Sequence, residues 1–378
     1  MTKSEQICNE IGAKYFCKDF VYENLMYFND SNYKVELCDA LFESGEMYLA
    51  LQIKERSERK GSKADEQWMN EMVYGKAVEQ MANTVEVLKK RTISFSDLYH
   101  QKVDVHNNNK VFPLIIFDNS NILDYRRSII NNGIEINIMS LADYQSMMKV
   151  LTLPFDIFYY LQERKKWITE SKRLPHLVLG DNEHVSIIAK INTEEDFASF
   201  FKLYMYDGDS RKMHEALRMW ALINGYRENL IKAIPQYKII LRILQNIRPD
   251  DSVSFMERFD YAWQVACQDR FDYSKAIQIA IDGKKTSIVF FSLGRCPFAN
   301  KRYYEILCDA KQLQHAADAI LLICFIGDDK KACQIDWVYC EKQYIDEPEV
   351  LDYYNKMGMF GGVNREDYEF ICRKMLNE

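Results

Sequence analysis

Asp39, Gln52 and Lys54 are the residues of this chain whose types and spacing best suit chemistry, and they fall in two short apolar runs. Lys34 to Glu43 and Met47 to Lys54 each read as a strand, and Ser44-Gly45-Glu46 between them reads as a hairpin turn. Side chains two apart on a strand share a face. In the second run Met47, Leu49, Leu51 and Ile53 therefore form one apolar face, while Tyr48, Ala50, Gln52 and Lys54 form the other. Gln52 and Lys54 project together from the strand end. Asp39 lies in the middle of the partner strand, with Val35, Leu37 and Leu41 as apolar same-face neighbours. An ionised carboxylate in such surroundings costs several kcal/mol unless it is paired or bound to metal. A hairpin salt bridge to Lys54 is the plainer solution. A divalent-metal site is the sharper one: the Asp39 carboxylate, the Gln52 amide oxygen and the Ile53 backbone carbonyl supply hard oxygens. Waters and a phosphate would then complete the octahedron that Mg²⁺ prefers. Lys54 would orient or help deprotonate an attacking water and stabilise charge on the phosphate.

The elements around the hairpin follow from periodicity. Residues 4–28 read as helix, with Ile7, Ile11, Tyr15 and Phe16 at three- and four-residue steps. A charged loop from Glu55 to Glu66 leads into a helix from about Gln67 to Arg91. Val111 to Phe117 and Ile134 to Met139 read as strands, and Phe155 to Trp167 as helix. The order α-β-β-α-β-(α)-β-α over residues 1–170 predicts a mixed α/β domain. Residues 171–378 are expected to form a second α+β or α/β domain. In it, Val185 to Ile191 reads as a strand and Thr193-Glu194-Glu195-Asp196 as a helix start. A mostly helical block follows from Met213 to Asp282, then strands at Thr286 to Leu293, Ala319 to Phe325 and Ile335 to Cys340, and a last helix near Arg365.

Glu36-Leu37-Cys38-Asp39, a Gly-containing turn, then Leu51-Gln52-Ile53-Lys54 resembles the D…(D/E)xK core of the PD-(D/E)XK nuclease superfamily. The likeness is greatest to the QxK variant of methylation-dependent restriction enzymes and related antiphage nucleases, and it covers residues 1–170. Gln52 stands where most members carry an acid, and Cys38 where many carry proline. Glu36 falls on the opposite face from Asp39 if alternation is strict. The resemblance implies a restriction-endonuclease-like mixed-sheet core with Asp39, Gln52 and Lys54 as catalytic residues. It implies Mg²⁺ or Mn²⁺ held by Asp39, Gln52 and Ile53, with Glu10 (or Glu5) on the preceding helix assisting. It further implies phosphodiester hydrolysis in double-stranded DNA, restriction or antiphage defence as the role, and a homodimer. On the helix after the hairpin, Trp68, Lys76 and Gln80 fall at spacings of eight and four. The resemblance offers Lys76 and Gln80 to nucleic acid, whereas the bland reading packs Trp68 into the core and solvates the other two. The rival reading of the whole domain is a catalytically weak or inactive nuclease fold that binds nucleic acid or a partner protein.

Composition bounds these readings. A chain of 378 residues, 48% of them hydrophobic, can bury two domain cores. With 13% aromatic residues and only 14 Gly and 7 Pro, long disorder is not expected. The ten cysteines include no Cys-x-x-Cys pair, which suits reduced thiols of an intracellular protein. No apolar leader opens the chain, and the longest uncharged apolar run, Ala319 to Gly327, is far shorter than the ~20 residues a bilayer requires. A cytoplasmic protein with no membrane partner is expected. The net charge of −7 leaves nucleic-acid binding to local basic surface at Arg56, Arg59, Lys60 and Lys63, at Lys89-Lys90-Arg91, or at Lys165, Lys166, Lys172 and Arg173. Each of these reads more readily as a solvated helix or loop face. Gly283-Lys284-Lys285-Thr286 lacks the upstream glycine of a phosphate-binding loop, because that position is Gln278. His100, His106, His176 and His184 have no patterned acid or cysteine partner.

Overall fold

The computed structural model describes residues 2–16, 18–28, 31–56, 62–90, 93–96, 102–105, 110–171, 193–233, 236–281, 283–294, 301–327, 333–341 and 349. The chain divides into two compact units, Met1–Ser210 and Arg211–Glu378. Both carry sheets, so the mixed α/β class is what the chain adopts. The expected strand at 185–191, the last helix near Arg365 and the four histidines named above lie outside the described residues, as do Arg59, Lys60, Lys172 and Arg173.

The first unit opens with helix α1 (Lys3–Tyr15), closed at its start by a capping box between Thr2 and Glu5. The expected helix over 4–28 ends there. After a short 3₁₀ turn (Lys18–Phe20), strand β1 (Val21–Phe28) begins, in which Val21, Tyr22, Tyr27 and Phe28 favour extended backbone. Strand β2 (Lys34–Ser44) and strand β3 (Met47–Glu55) form the expected hairpin, with Gly45 at φ 59° in its two-residue turn.

Helix α2 (Ser62–Trp68), a π-helical segment (Met69–Ala77) and helix α3 (Val78–Lys90) replace the single α-helix expected over 67–91. A small hairpin of β4 (Ile93–Ser96) and β5 (Lys102–Val105) precedes β6 (Lys110–Asp118), β7 (Ser128–Asn131) and β8 (Ile134–Ser140). Helices α4 (Leu141–Val150), α5 (Pro154–Ser171) and α6 (Glu194–Met205) complete the unit.

Six strands form one mixed sheet in the order β1-β2-β3-β6-β8-β7, with β3, β6 and β8 parallel. Helices cover both faces. Leu49, Leu51 and Ile53 join a cluster with Cys8, Tyr144, Phe158 and Phe201, which belong to α1, α4, α5 and α6. Tyr48 and Ala50 join the opposite cluster, with Met69, Val73 and Met81 from the π-helical segment and α3. The period-two reading of β3 holds residue by residue.

The unit extends past residue 170 because α6 is part of its core. Glu194, the first residue of α6, is fully buried against Arg164 of α5 (Nε to Oε1, 2.6 Å; Nη2 to Oε2, 2.9 Å). It also accepts from the Tyr160 hydroxyl at 2.6 Å and pairs with Arg127 at 2.7 Å. Desolvation opposes both charges, and their mutual attraction and hydrogen bonds override it, raising the Arg164 pKa and lowering that of Glu194. Thr193-Glu194-Glu195-Asp196, read from sequence as a helix start, is one, and it also contains a structural anchor.

In the second unit, α7 (Ser210–Ala233), α8 (Tyr237–Gln245) and α9 (Pro249–Cys267) precede β9 (Phe271–Ile281) and β10 (Lys284–Gly294). Helix α10 (Lys301–His315), β11 (Ala319–Gly327) and β12 (Cys333–Glu341) follow. The helical reading of 213–282 is corrected at its end, where β9 pairs antiparallel with β10. The sheet order is β12-β11-β10-β9, with β10 and β11 parallel around the α10 crossover. Phe255 and Phe259 of α9 pack edge-on to Phe290 and Phe325 at 5.2 and 5.0 Å. Among the described residues no helix is long and apolar enough to cross a membrane.

Glu194→Ala would strand the Arg164 cation in a fully buried position. The first unit is expected to lose ~3–5 kcal/mol, read from its urea transition in the full chain. A chain ended after Lys172 lacks the same carboxylate along with Phe197 and Phe201, and should aggregate, whereas one ended at Ser210 should unfold cooperatively.

Candidate active site

The site lies where the central sheet forks. Strand β2 stays paired with β1 from Val21↔Phe42 to Phe28↔Lys34, and β3 stays paired with β6 from Met47↔Lys110 to Glu55↔Asp118. Between β2 and β3, however, the register runs only from Ser44↔Met47 to Ala40↔Leu51. The next opposed pair is Asp39 and Gln52, and there the strands part. The Asp39 carboxylate fills the gap: its Oδ2 accepts from the Ile53 backbone N–H and from Gln52 Nε2, both at 2.6 Å. A strand residue directs its N–H and C=O to the same side. The Ile53 carbonyl therefore also faces the opening rather than β6.

A β-bulge shapes the other bank. The register steps from Leu25↔Cys38 to Met26↔Glu36, leaving Leu37 as an extra residue on β2. Leu37 and Cys38, though successive, pack into the same cluster. Strict alternation fails here, and Glu36 acts electrostatically on Asp39 and Lys54 despite its three-residue offset from Asp39.

The electrostatics are those of a tuned pair. Asp39 is 8% exposed. Burial, reinforced by Glu36 and Glu5 and opposed by the Ile53 N–H and Lys54, pushes its pKa from 3.8 to about 6. Burial also lowers the Lys54 pKa, and Lys76 adds to the effect against the pull of Asp39, Glu36 and Glu5. A carboxyl that protonates easily and an ammonium that deprotonates easily thus share one opening, the combination found at proton-transfer sites.

Of the expected residues, Asp39, Gln52, Ile53 and Lys54 are brought together, and Lys76 reaches the field of Lys54 from the π-helical segment. Glu10 is not brought in. It lies exposed, accepting from Gln6 at 2.9 Å, and Glu5 is the α1 acid that acts on Asp39. Trp68 packs against the core, with the Arg56 guanidinium 5.9 Å from its ring centre. Gln80 turns its side-chain oxygen inward, where it meets no donor among the described residues. Arg56 is no free surface cation, because it is nearly buried against Asp65 at 2.7 Å. Glu5, the alternative to Glu10 in the sequence, sits in the α1 capping box, and Glu36, opposite Asp39 under strict alternation, is re-phased by a bulge invisible to periodicity.

The chain matches no family model, no curated protein and no solved structure.

Among the described residues no three His, Cys, Asp or Glu side chains converge on one point. The oxygens at the fork are one carboxylate, one amide and one peptide carbonyl. That sparse, hard set fits an ion that keeps most of its waters, as Mg²⁺ does, better than one that needs a full protein cage. Both Asp39 hydrogen bonds fall on Oδ2, leaving Oδ1 to a cation. Presenting the Gln52 oxygen requires only that its amide turn over.

The raised Asp39 pKa fixes a sign. The carboxyl favours the fold fully below pH 3.8, and that contribution is lost as pH rises through about 6. Asp39→Asn keeps an acceptor for the Ile53 N–H and carries no charge. In chelator it should exceed the parent in stability by ~1–3 kcal/mol at pH 8 and match it near pH 4, by urea unfolding at both pH values.

Proposed function

We propose that the first unit is a divalent-metal-dependent nuclease of the PD-(D/E)XK type, hydrolysing phosphodiester bonds in double-stranded DNA. The observation that carries this reading is the fork: Asp39 bridges β2 and β3 through Gln52 and Ile53 at 2.6 Å, beside a lysine whose pKa burial lowers. The six-stranded mixed sheet with helices on both faces supports it at the level of architecture.

In this mechanism Asp39, Gln52 and the Ile53 carbonyl would hold Mg²⁺ or Mn²⁺. The ion, when bound, polarises the phosphate and acidifies a water. Lys54 orients that water toward phosphorus and, with its pKa lowered by burial, is suited to accept its proton; as a cation it balances the charge growing on the phosphate oxygens. Lys76 adds positive charge on the same side, where a DNA backbone would run. Helix α1 contributes Glu5 rather than Glu10 as the assisting acid. Cutting both strands calls for two such sites, hence a homodimer. Restriction or antiphage defence in the cytoplasm is the role the resemblance implies.

One observation favours a second reading, a nuclease fold that binds nucleic acid or a partner protein with little or no cleavage. Gln52 is neutral, so the fork carries one convergent carboxylate. Salt-sensitive DNA binding without metal-dependent nicking would select it.

Lys54→Ala should lower plasmid cleavage by ~10²–10³-fold with the fold unchanged by circular dichroism. Undiminished cleavage would remove Lys54 from the site. In calorimetric Mn²⁺ titrations Asp39→Asn should lose binding more completely than Gln52→Ala, because a charged oxygen outweighs a neutral one at a hard cation. The reverse ranking would reduce Asp39 to a salt-bridge partner.

A further inference from the structure

A cavity of about 870 Å³ is bounded by α2, the π-helical segment and the loop that follows β6. This volume lies within the ~300–1,000 Å³ of small-ligand clefts. It opens beyond the carboxyl ends of the parallel strands β3 and β6, the edge at which open α/β sheets bind ligands. Two links tie it to the site. The π-helical segment supplies Asn70 and Tyr74 to the cavity wall and Lys76 to the field of Lys54. Arg56, two residues past Lys54, holds Asp65 in the wall at 2.7 Å.

The lining indicates the kind of guest. Among the described lining residues Glu66 and Asp124 outnumber the one guanidinium, that of Arg126, while Asp65 is held by Arg56, so the described wall does not favour a phosphate. Tyr74 provides aromatic surface, with the Arg126 guanidinium 5.3 Å from its ring centre, while the Tyr125 ring, also in the wall, packs against Phe117 at 4.9 Å and the Arg127 guanidinium at 5.2 Å. The side-chain amides of Asn70 and Asn121 add donors and acceptors at exposed positions. The wall is preset, because Asp65 accepts from Asn119 at 3.0 Å and Asn121 at 3.2 Å, and Tyr74 accepts the Arg126 backbone N–H at 2.9 Å. Leu123, 88% exposed, gives the rim an apolar edge. Aromatic faces, amides and surplus carboxylates suit a flat, uncharged guest that donates hydrogen bonds.

We propose that this cavity receives a nucleobase bearing an exocyclic amino group (adenine, cytosine or guanine), turned out of the strand beside the phosphate held at the fork. The proposal rests on the nuclease reading for that placement. Carboxylates accept from the cytosine amino group and Asn pairs with adenine, whereas thymine carries no exocyclic amino group and offers only its ring N3–H. Unstacking the base costs a few kcal/mol in a duplex and less in single strands.

The test uses the full chain in chelator, with single-stranded oligo(dA), oligo(dC) and oligo(dT) of equal length as probes. The three share a backbone, so electrostatic attraction cancels in the ratio of affinities. Oligo(dA) or oligo(dC) is expected to bind about tenfold or more tighter than oligo(dT). Asn70→Ala and Asn121→Ala, both at exposed positions, should bring that ratio close to one and leave the affinity for oligo(dT) unchanged. Equal affinities in the parent protein, or a preference that survives both substitutions, overturn the proposal. Plasmid cleavage with Mn²⁺ on the same preparations separates the two readings. Cleavage without base preference removes the pocket alone, and base preference lost in the Asn variants without cleavage keeps the pocket and removes the chemistry.

Discussion

One carboxylate holds the centre of the first unit open. Where β2 leaves β3, the peptide groups on both banks lose their strand partners, and unpaired buried amides are costly. The Asp39 side chain takes the Ile53 N–H that a strand carbonyl would otherwise take, and so permits the parting. Its own cost is the burial of a charge, visible in a pKa pushed up to about 6. The flanks make the arrangement rigid: β2 is zipped to β1 and β3 to β6 well past the opening, so the fork cannot close by local slippage. Stability sacrificed at one residue is recovered in the ladders on either side.

Much of this was legible because strand chemistry is local. The phase of β3 follows from alternate side chains, and its two faces enter the two clusters as alternation requires. What escaped the sequence depended on tertiary context. Strand β1 hid behind a helical spacing of Ile7, Ile11, Tyr15 and Phe16 that stops at Tyr15, although Val21 to Phe28 is rich in strand formers. Glu36 lies opposite Asp39 only under strict alternation, and the bulge that absorbs Leu37 breaks that alternation. The domain edge was set forty residues early because Glu194 looks like a surface acid until Arg164 is seen facing it. Strand β9 had a visible period-two signal in Ile277, Ile279 and Ile281, overridden by the helical block before it.

The second unit has a core of its own and a device of its own at its sheet edge. Cys333, at the start of β12, lies with its sulfur 3.2 Å from that of Cys267 at the end of α9. Near the other end of the strand, Cys340 hydrogen-bonds Cys308 of α10, which contributes to the raised Cys308 pKa. Both thiol pairs tie the outermost strand to helices, and protonated sulfur suits that packing role.

The π-helical segment has a consequence that reaches beyond its own residues. A π turn holds one more residue than the α turn it replaces, closing its hydrogen bonds at i→i+5. Everything upstream of Met69–Ala77 is thereby rotated about the helix axis relative to α3. The segment supplies Asn70 and Tyr74 to the cavity wall and Met69, Val73 and Ala77 to the core cluster. Loss of a single residue from it would turn α2, with Asp65 and Glu66 of the cavity wall, by about a quarter of a revolution relative to α3.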